Sequence, residues 1–152
     1  MRIALSHRSQ YAIRATVAIA LAGTRVPLST RRIAEQMDVP AGFLAHVLTD
    51  LVQAGIVAGT PGRNGGYTLI VPATELDLLR VVDAVETTEE PPRCVMRADT
   101  CGSDGTCAVH EAFENATAAM RKELAATLLS DVARRHRGAA GSITTTSLDA
   151  SG

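Results

Sequence analysis

The chain has 152 residues, and its 15 Lys plus Arg against 16 Asp plus Glu give a formal net charge of −1. Hydrophobic residues at 46% and charged residues at 20% suit a folded domain and exclude global disorder, while 3% aromatics and no Trp leave Ala, Val, Leu and Ile to build the core. Taken whole, the charge gives no sign of a polyanionic partner. No run reaches the roughly 18 apolar residues that span a bilayer, so no membrane partner and a cytoplasmic location are expected.

Residues 8–22 form the first predicted helix. Tyr11, Ala15, Ile19 and Ala22 make one apolar line, and Ile13, Val17 and Leu21 make a second, so the helix is covered on most sides. Arg8, Arg14 and this helical period distinguish it from a secretion signal. Gly23 stops it. Ser29 or Thr30 caps a short helix running to Met37, and Asp38-Val39-Pro40 is a tight break. Pro40 suits the start of a third helix carrying Phe43, Leu44, Val47, Leu48, Leu51 and Val52, which ends at Gly55.

Ile56-Val57-Ala58, a glycine-rich turn from Gly59 to Gly66, and Tyr67 to Val71 then read as a β-hairpin. Thr74 is the expected cap of a fourth helix ending near Glu86, with Asp77 at the matching position inside it. Residues 87–106 are irregular. A single long helix is expected from Cys107 to Arg135, on which Val109, Phe113, Ala116, Met120, Leu124 and Leu128 form one stripe. Residues 138–152 carry no core and are expected to be disordered.

Helix, short helix, three-residue break, helix and hairpin is the order of a winged helix–turn–helix. In that architecture the third helix enters the major groove and the hairpin wing reaches the backbone or the minor groove. A generic three-helix interaction module is the bland alternative. Charge separates the two. Residues 1–67 hold seven arginines and three acids, +4, while the remainder holds eight bases and thirteen acids, −5. The head's bases are all Arg, which suits phosphate and base-edge contacts. Candidate DNA-contacting residues are Ser29, Thr30 and Arg31 at the short helix, Pro40, Gly42, Phe43 and His46 on the third helix, and Arg63, Asn64 and Gly65 in the wing turn. Only His46 among the third-helix residues has a side chain suited to hydrogen-bonding a base. Phosphate contacts, wing and DNA shape are therefore expected to carry most of the affinity.

Three cysteines, an odd and clustered set, argue against a disulfide framework. Cys94-x6-Cys101-x5-Cys107, followed after two intervening residues by His110, can surround one metal centre. The pairs separated by two residues that typify zinc knuckles are absent, and the wide spacing suits a bulky cluster better than one ion. Asp99, Asp104 and Glu111 are nearby oxygen alternatives to His110 as fourth ligand. The Ala-rich last helix would run about 40 Å, too long for one small domain to cover. It is expected to pack on its twin, making Val109, Phe113, Ala116, Met120, Leu124 and Leu128 a homodimer interface.

The chain resembles the Rrf2 family of bacterial winged helix–turn–helix regulators over about residues 1–133. The resemblance rests on Leu5-Ser6, Tyr11 to Arg14, Phe43-Leu44, Leu51 to Val57, Gly62 to Tyr67, and the three-cysteine loop before the last helix. It implies a homodimer binding palindromic operators in double-stranded DNA and controlled by an iron–sulfur cluster. The signal would be redox state, nitric oxide, iron or cluster supply. Cys-x2-His matches the pattern in which the histidine completes a [2Fe-2S] site, favoured here over [4Fe-4S]. Where related regulators recruit an acidic residue from the partner's first helix, this chain has Gln10, a poor ligand. It departs from the family in a first cysteine gap of six rather than five, and in Pro61 where an Arg often begins the wing.

The expected fold is mainly α with a small β-hairpin wing: a winged helix–turn–helix plus a long C-terminal dimerisation helix. The divisions are 1–72 DNA-binding, 73–106 fourth helix and cysteine loop, 107–137 dimerisation helix and 138–152 tail. The expected function is a cluster-controlled repressor. The rival is a metal-free or zinc-bound regulator of the same fold, responding to a small molecule, thiol oxidation or a protein partner. No base–nucleophile arrangement or phosphate loop supports an enzyme.

Overall fold

The computed structural model describes residues 5–86 and 108–143. The first helix, α1, spans His7–Ala22. The Ser6 hydroxyl caps it by accepting from the Ser9 amide at 3.1 Å, and Gly23 ends it at φ +88°. Ala12, Ala15 and Ala18 are fully buried along it, so neighbouring helices approach its backbone closely. The equally buried Thr16 is tolerated because its hydroxyl donates back to the Ala12 carbonyl at 2.9 Å. This small-residue helix is the hub of the fold, touching four of the other helices and the second strand of the hairpin.

Helix α2 spans Thr30–Met37 and α3 spans Ala41–Gln53. Ser29 caps α2 through the Arg32 amide, and Asp38 ends it in the left-handed region at φ +50°. Pro40 caps α3 from just outside its first turn. Ile33 of α2 and Leu44, Val47, Leu48 and Leu51 of α3 pack with Ile19 in the core. Strands β1 (Val57–Thr60) and β2 (Gly66–Leu69) pair antiparallel, with Val57 opposite Leu69 and Thr60 opposite Gly66. Leu28 adds a further rung by exchanging two backbone hydrogen bonds with Tyr67, at 3.0 and 2.9 Å.

The C-terminal part departs from the expectation of one long helix. Helix α5 spans Ala108–Ala126 and α6 spans Leu129–Ile143, with Thr127 and Leu128 between them. Residues 73–78 run through this break. The Leu78 amide donates to the Thr127 carbonyl at 3.0 Å, Leu129 to Leu76 at 2.8 Å, and Ser130 to Ala73 at 3.0 Å. Backbone groups that a continuous helix would pair internally are thus satisfied by another segment. The same contacts delay the fourth helix: α4 spans Leu78–Asp83, capped by Asp77 rather than by Thr74. Leu76 and Leu129 meet the core with no exposure, and α6 returns along α1. Helix α6 also continues to Ile143, beyond the expected end of ordered chain at residue 137. The cysteine loop and residues 144–152 lie outside the described residues. Among the described residues no helix is long and apolar enough to cross a membrane.

Candidate functional site

The exposed side of α3 is built by exclusion. Leu44, Val47, Leu48 and Leu51 take the core, which leaves Ala41, Gly42, Phe43, Ala45, His46 and Thr49 exposed. Two ties fix this helix and the preceding turn against α1. Arg8 forms an ion pair with Asp50 on α3. Arg14 points its Nη1 at the Met37 and Asp38 carbonyls, 3.4 and 3.3 Å away, where a cation offsets the negative end of α2.

The wing lies beside the start of α2. The two enclose an open cleft of about 560 Å³ lined by Ser29, Thr30 and Arg31 on one side and by Thr60, Gly65 and Tyr67 among the hairpin residues on the other. Gly66 is required here: a Cβ on it would sit 2.4 Å from the Leu28 carbonyl carbon and oxygen. Gly65 is constrained likewise, since its Cβ would fall 2.1 Å from the Thr60 carbonyl oxygen. The turn therefore packs backbone on backbone and leaves Arg63 and Asn64 exposed at its tip.

The structure sorts the head's basic residues by employment. Arg8 and Arg14 have structural partners. Arg31 bonds Glu35 one turn along at 2.8 Å. That hydrogen bond first, and the carboxylate's charge second, hold its guanidinium above the ordinary arginine range. Arg32 and Arg63 are exposed and form no ion pair among the described residues. Arg32 is absent from the sequence-based site, although the Ser29 cap places it in the same first turn as Arg31. Tyr67 was missed as well, because only the bridge to Leu28 shows that it faces the start of α2.

Of the sensor candidates, Cys94, Cys101 and Cys107 fall outside the described residues, as do the oxygen alternatives Asp99 and Asp104. His110 stands in the first turn of α5, one-third exposed, with Nε2 2.9 Å from Glu114 Oε1. No group of three His, Cys, Asp or Glu side chains able to hold a metal ion occurs among the described residues. Glu86, the last described residue before the cysteine loop, is held at the start of α1. Its Oε1 accepts from the Ser6 hydroxyl at 2.6 Å and from the fully buried Ser9 hydroxyl.

The expected dimer stripe is divided. Leu124 packs partly on the chain's own core, and Leu128 lies in the break opposite Asp77. Val109, Ala116 and Met120 are half-buried, while Phe113 is 41% exposed. Helix α5 rests on α4, and Arg121 grips Asp83 of α4 with two hydrogen bonds of 2.8 and 2.9 Å.

This architecture matches proteins already described. The Rrf2 family profile, described as an iron-dependent transcriptional regulator, matches residues 5–135. An HTH-type transcriptional regulator of Mycobacterium tuberculosis strain H37Rv is 32% identical over 129 residues, covering 85% of this chain and 80% of that protein. The solved structure of T. potens IscR superposes with a TM-score of 0.72 at 18% identity, covering 99% of this chain and 94% of that one. CymR, the global cysteine regulator of B. subtilis, superposes with a TM-score of 0.70 at 22% identity, covering 88% and 98%. The profile covers the head, the cysteine-bearing segment, all of α5 and α6 as far as residue 135, so the chain belongs to the Rrf2 family of transcriptional regulators, DNA-binding proteins rather than enzymes.

Proposed function

We propose that this protein is a homodimeric repressor that binds a palindromic operator and is controlled by an iron–sulfur cluster, of the [2Fe-2S] type, held by Cys94, Cys101, Cys107 and His110. The observation that carries the reading is the donor set: three thiols and an imidazole, within a family described as iron-dependent. The set is chemically suited to iron, since thiolates and imidazole together satisfy a cluster with sulfur and nitrogen ligands. Such a cluster, when bound, supplies a centre that changes with redox state, nitric oxide or iron supply.

The chain's own residues supply the rest. Ser29, Thr30, Arg31 and Arg32 present the amides and charges of the α2 N-terminus to one phosphate run. Pro40, Gly42, Phe43 and His46 face the major groove. Arg63, Asn64 and Gly65 carry the wing to the minor groove, where Arg is favoured electrostatically. The Ser6, Ser9 and Glu86 cluster joins the end of the segment leading to Cys94 with the first turn of α1, whose Arg8 holds α3. Ligation at the cysteines thereby biases the placement of the reading helix.

Anaerobic purification followed by a visible spectrum with iron and sulfide analysis tests the reading. A coloured protein carrying both elements is expected, and its operator affinity should change when the colour is bleached. A colourless protein that resists reconstitution overturns the cluster. Bound zinc, or no metal, then leaves the structural-zinc or metal-free regulator of the same fold.

A further inference from the structure

Phe43 is the most exposed large apolar side chain of the described residues, at 64%. It projects from the first turn of α3 among Gly42, Ala45 and Ala41, none of which reaches as far from the helix axis. Its ring is supported from one side: the Tyr11 ring of α1 lies 6.2 Å away at 43°, and His7 lies 6.2 Å beyond Tyr11 at 28°. The row of three rings links the start of α1 to the start of α3 and limits where Phe43 can swing. A supported, solvent-facing phenyl at the leading end of a groove-entering helix is costly in water and gains by being covered.

What covers it follows from groove chemistry. A phenyl ring has neither donor nor acceptor, so it discriminates base pairs only by apolar contact. The one apolar feature on the major-groove edge is the thymine C5-methyl. We propose that Phe43, positioned by Tyr11, selects thymine at one defined position of each operator half-site by covering that methyl group. The assignment rests on the placement of α3 in the major groove and deepens it. It makes the head a reader of methyl groups where His46 alone would be a weak reader of hydrogen bonds.

The test uses the full-length protein and a duplex recovered by selection from a random pool. Each thymine is replaced in turn by deoxyuridine, which keeps pairing and shape but removes the methyl. Wild-type protein should lose roughly fourfold in Kd at one position, the worth of one buried methyl. Phe43→Ala should be insensitive at that position, and Phe43→Leu should keep part of the penalty, so the coupling appears as a double-mutant cycle. Equal loss in wild type and Phe43→Ala, or no sensitive position while both still prefer the selected duplex to a scrambled one, overturns the assignment and leaves the DNA-binding head standing. A wild type without any preference for the selected duplex overturns the groove placement and the assignment together. Phe43 is exposed, so a thermal melt of Phe43→Ala should match wild type.

Discussion

Gly66 passes so close to Leu28 that its missing side chain is the reason the wing can join the start of α2. Gly66→Ala should cost roughly 2–3 kcal/mol through overpacking against backbone that cannot yield. Urea unfolding reads this cost, and the same substitution at Gly42, where a Cβ meets nothing within 4 Å, should not reproduce it. Glu86 offers a second residue-scale case. Glu86→Ala leaves the buried Ser9 hydroxyl without its carboxylate acceptor, which should cost about 1–2 kcal/mol in the same measurement. Arg63 differs again, because it supports no part of the fold. Arg63→Ala should leave stability unchanged and weaken operator binding while reducing the salt slope by about two, one for each subunit of the proposed dimer. Unchanged affinity would remove the wing from the DNA interface.

At the scale of elements, helices and hairpin of the head follow their local signals closely. Ser29 caps α2 as its residue type predicts, Gly23 terminates α1, and the strand expected over Tyr67 to Val71 forms as β2, shifted to Gly66–Leu69. The C-terminal helices do not, because helical periodicity continues on both sides of a two-residue break. Nothing about Thr127 or Leu128 themselves demands an interruption. Residues 73–78 demand it, by offering carbonyls and an amide in place of those of the helix. The difference is measurable. Leu129→Ala should cost about 2–5 kcal/mol, since Leu129 is fully buried between α6 and the head. Leu128→Ala should cost clearly less, the reverse of what a continuous stripe through Leu128 would give.

For the whole molecule, the net charge of −1 conceals a head at +4 and a remainder at −5. The structure refines that head charge further, because Arg8 and Arg14 are spent on internal ties and Arg31 is shared with Glu35. In the proposed dimer, Arg31, Arg32 and Arg63 of each head together neutralise about six phosphate charges. Operator affinity should therefore fall roughly a thousandfold between 50 and 200 mM salt, read by titrating a labelled duplex. A flat response would point to a protein-binding head. Sedimentation should give twice the chain mass, with Phe113→Asp shifting it toward the monomer; a monomeric wild type would overturn the proposed pairing of α5 with its twin.

Local pattern alone was enough for the winged helix–turn–helix and the basic charge of its head, and it named Cys94, Cys101, Cys107 and His110 as candidate ligands. These depend on local periodicity, caps and composition, which every residue reports for itself. Even the candidate readers on α3 were legible, because its buried Leu and Val positions left only one side to the solvent. Tertiary structure alone decided the break between α5 and α6, the late start of α4, the pairing of Glu86 with Ser6 and Ser9, and which arginines remain available for DNA. Each of those depends on a partner dozens of residues away in the chain. Backbone groups and charges are satisfied by whatever the fold brings near, and no local pattern records which partner that will be.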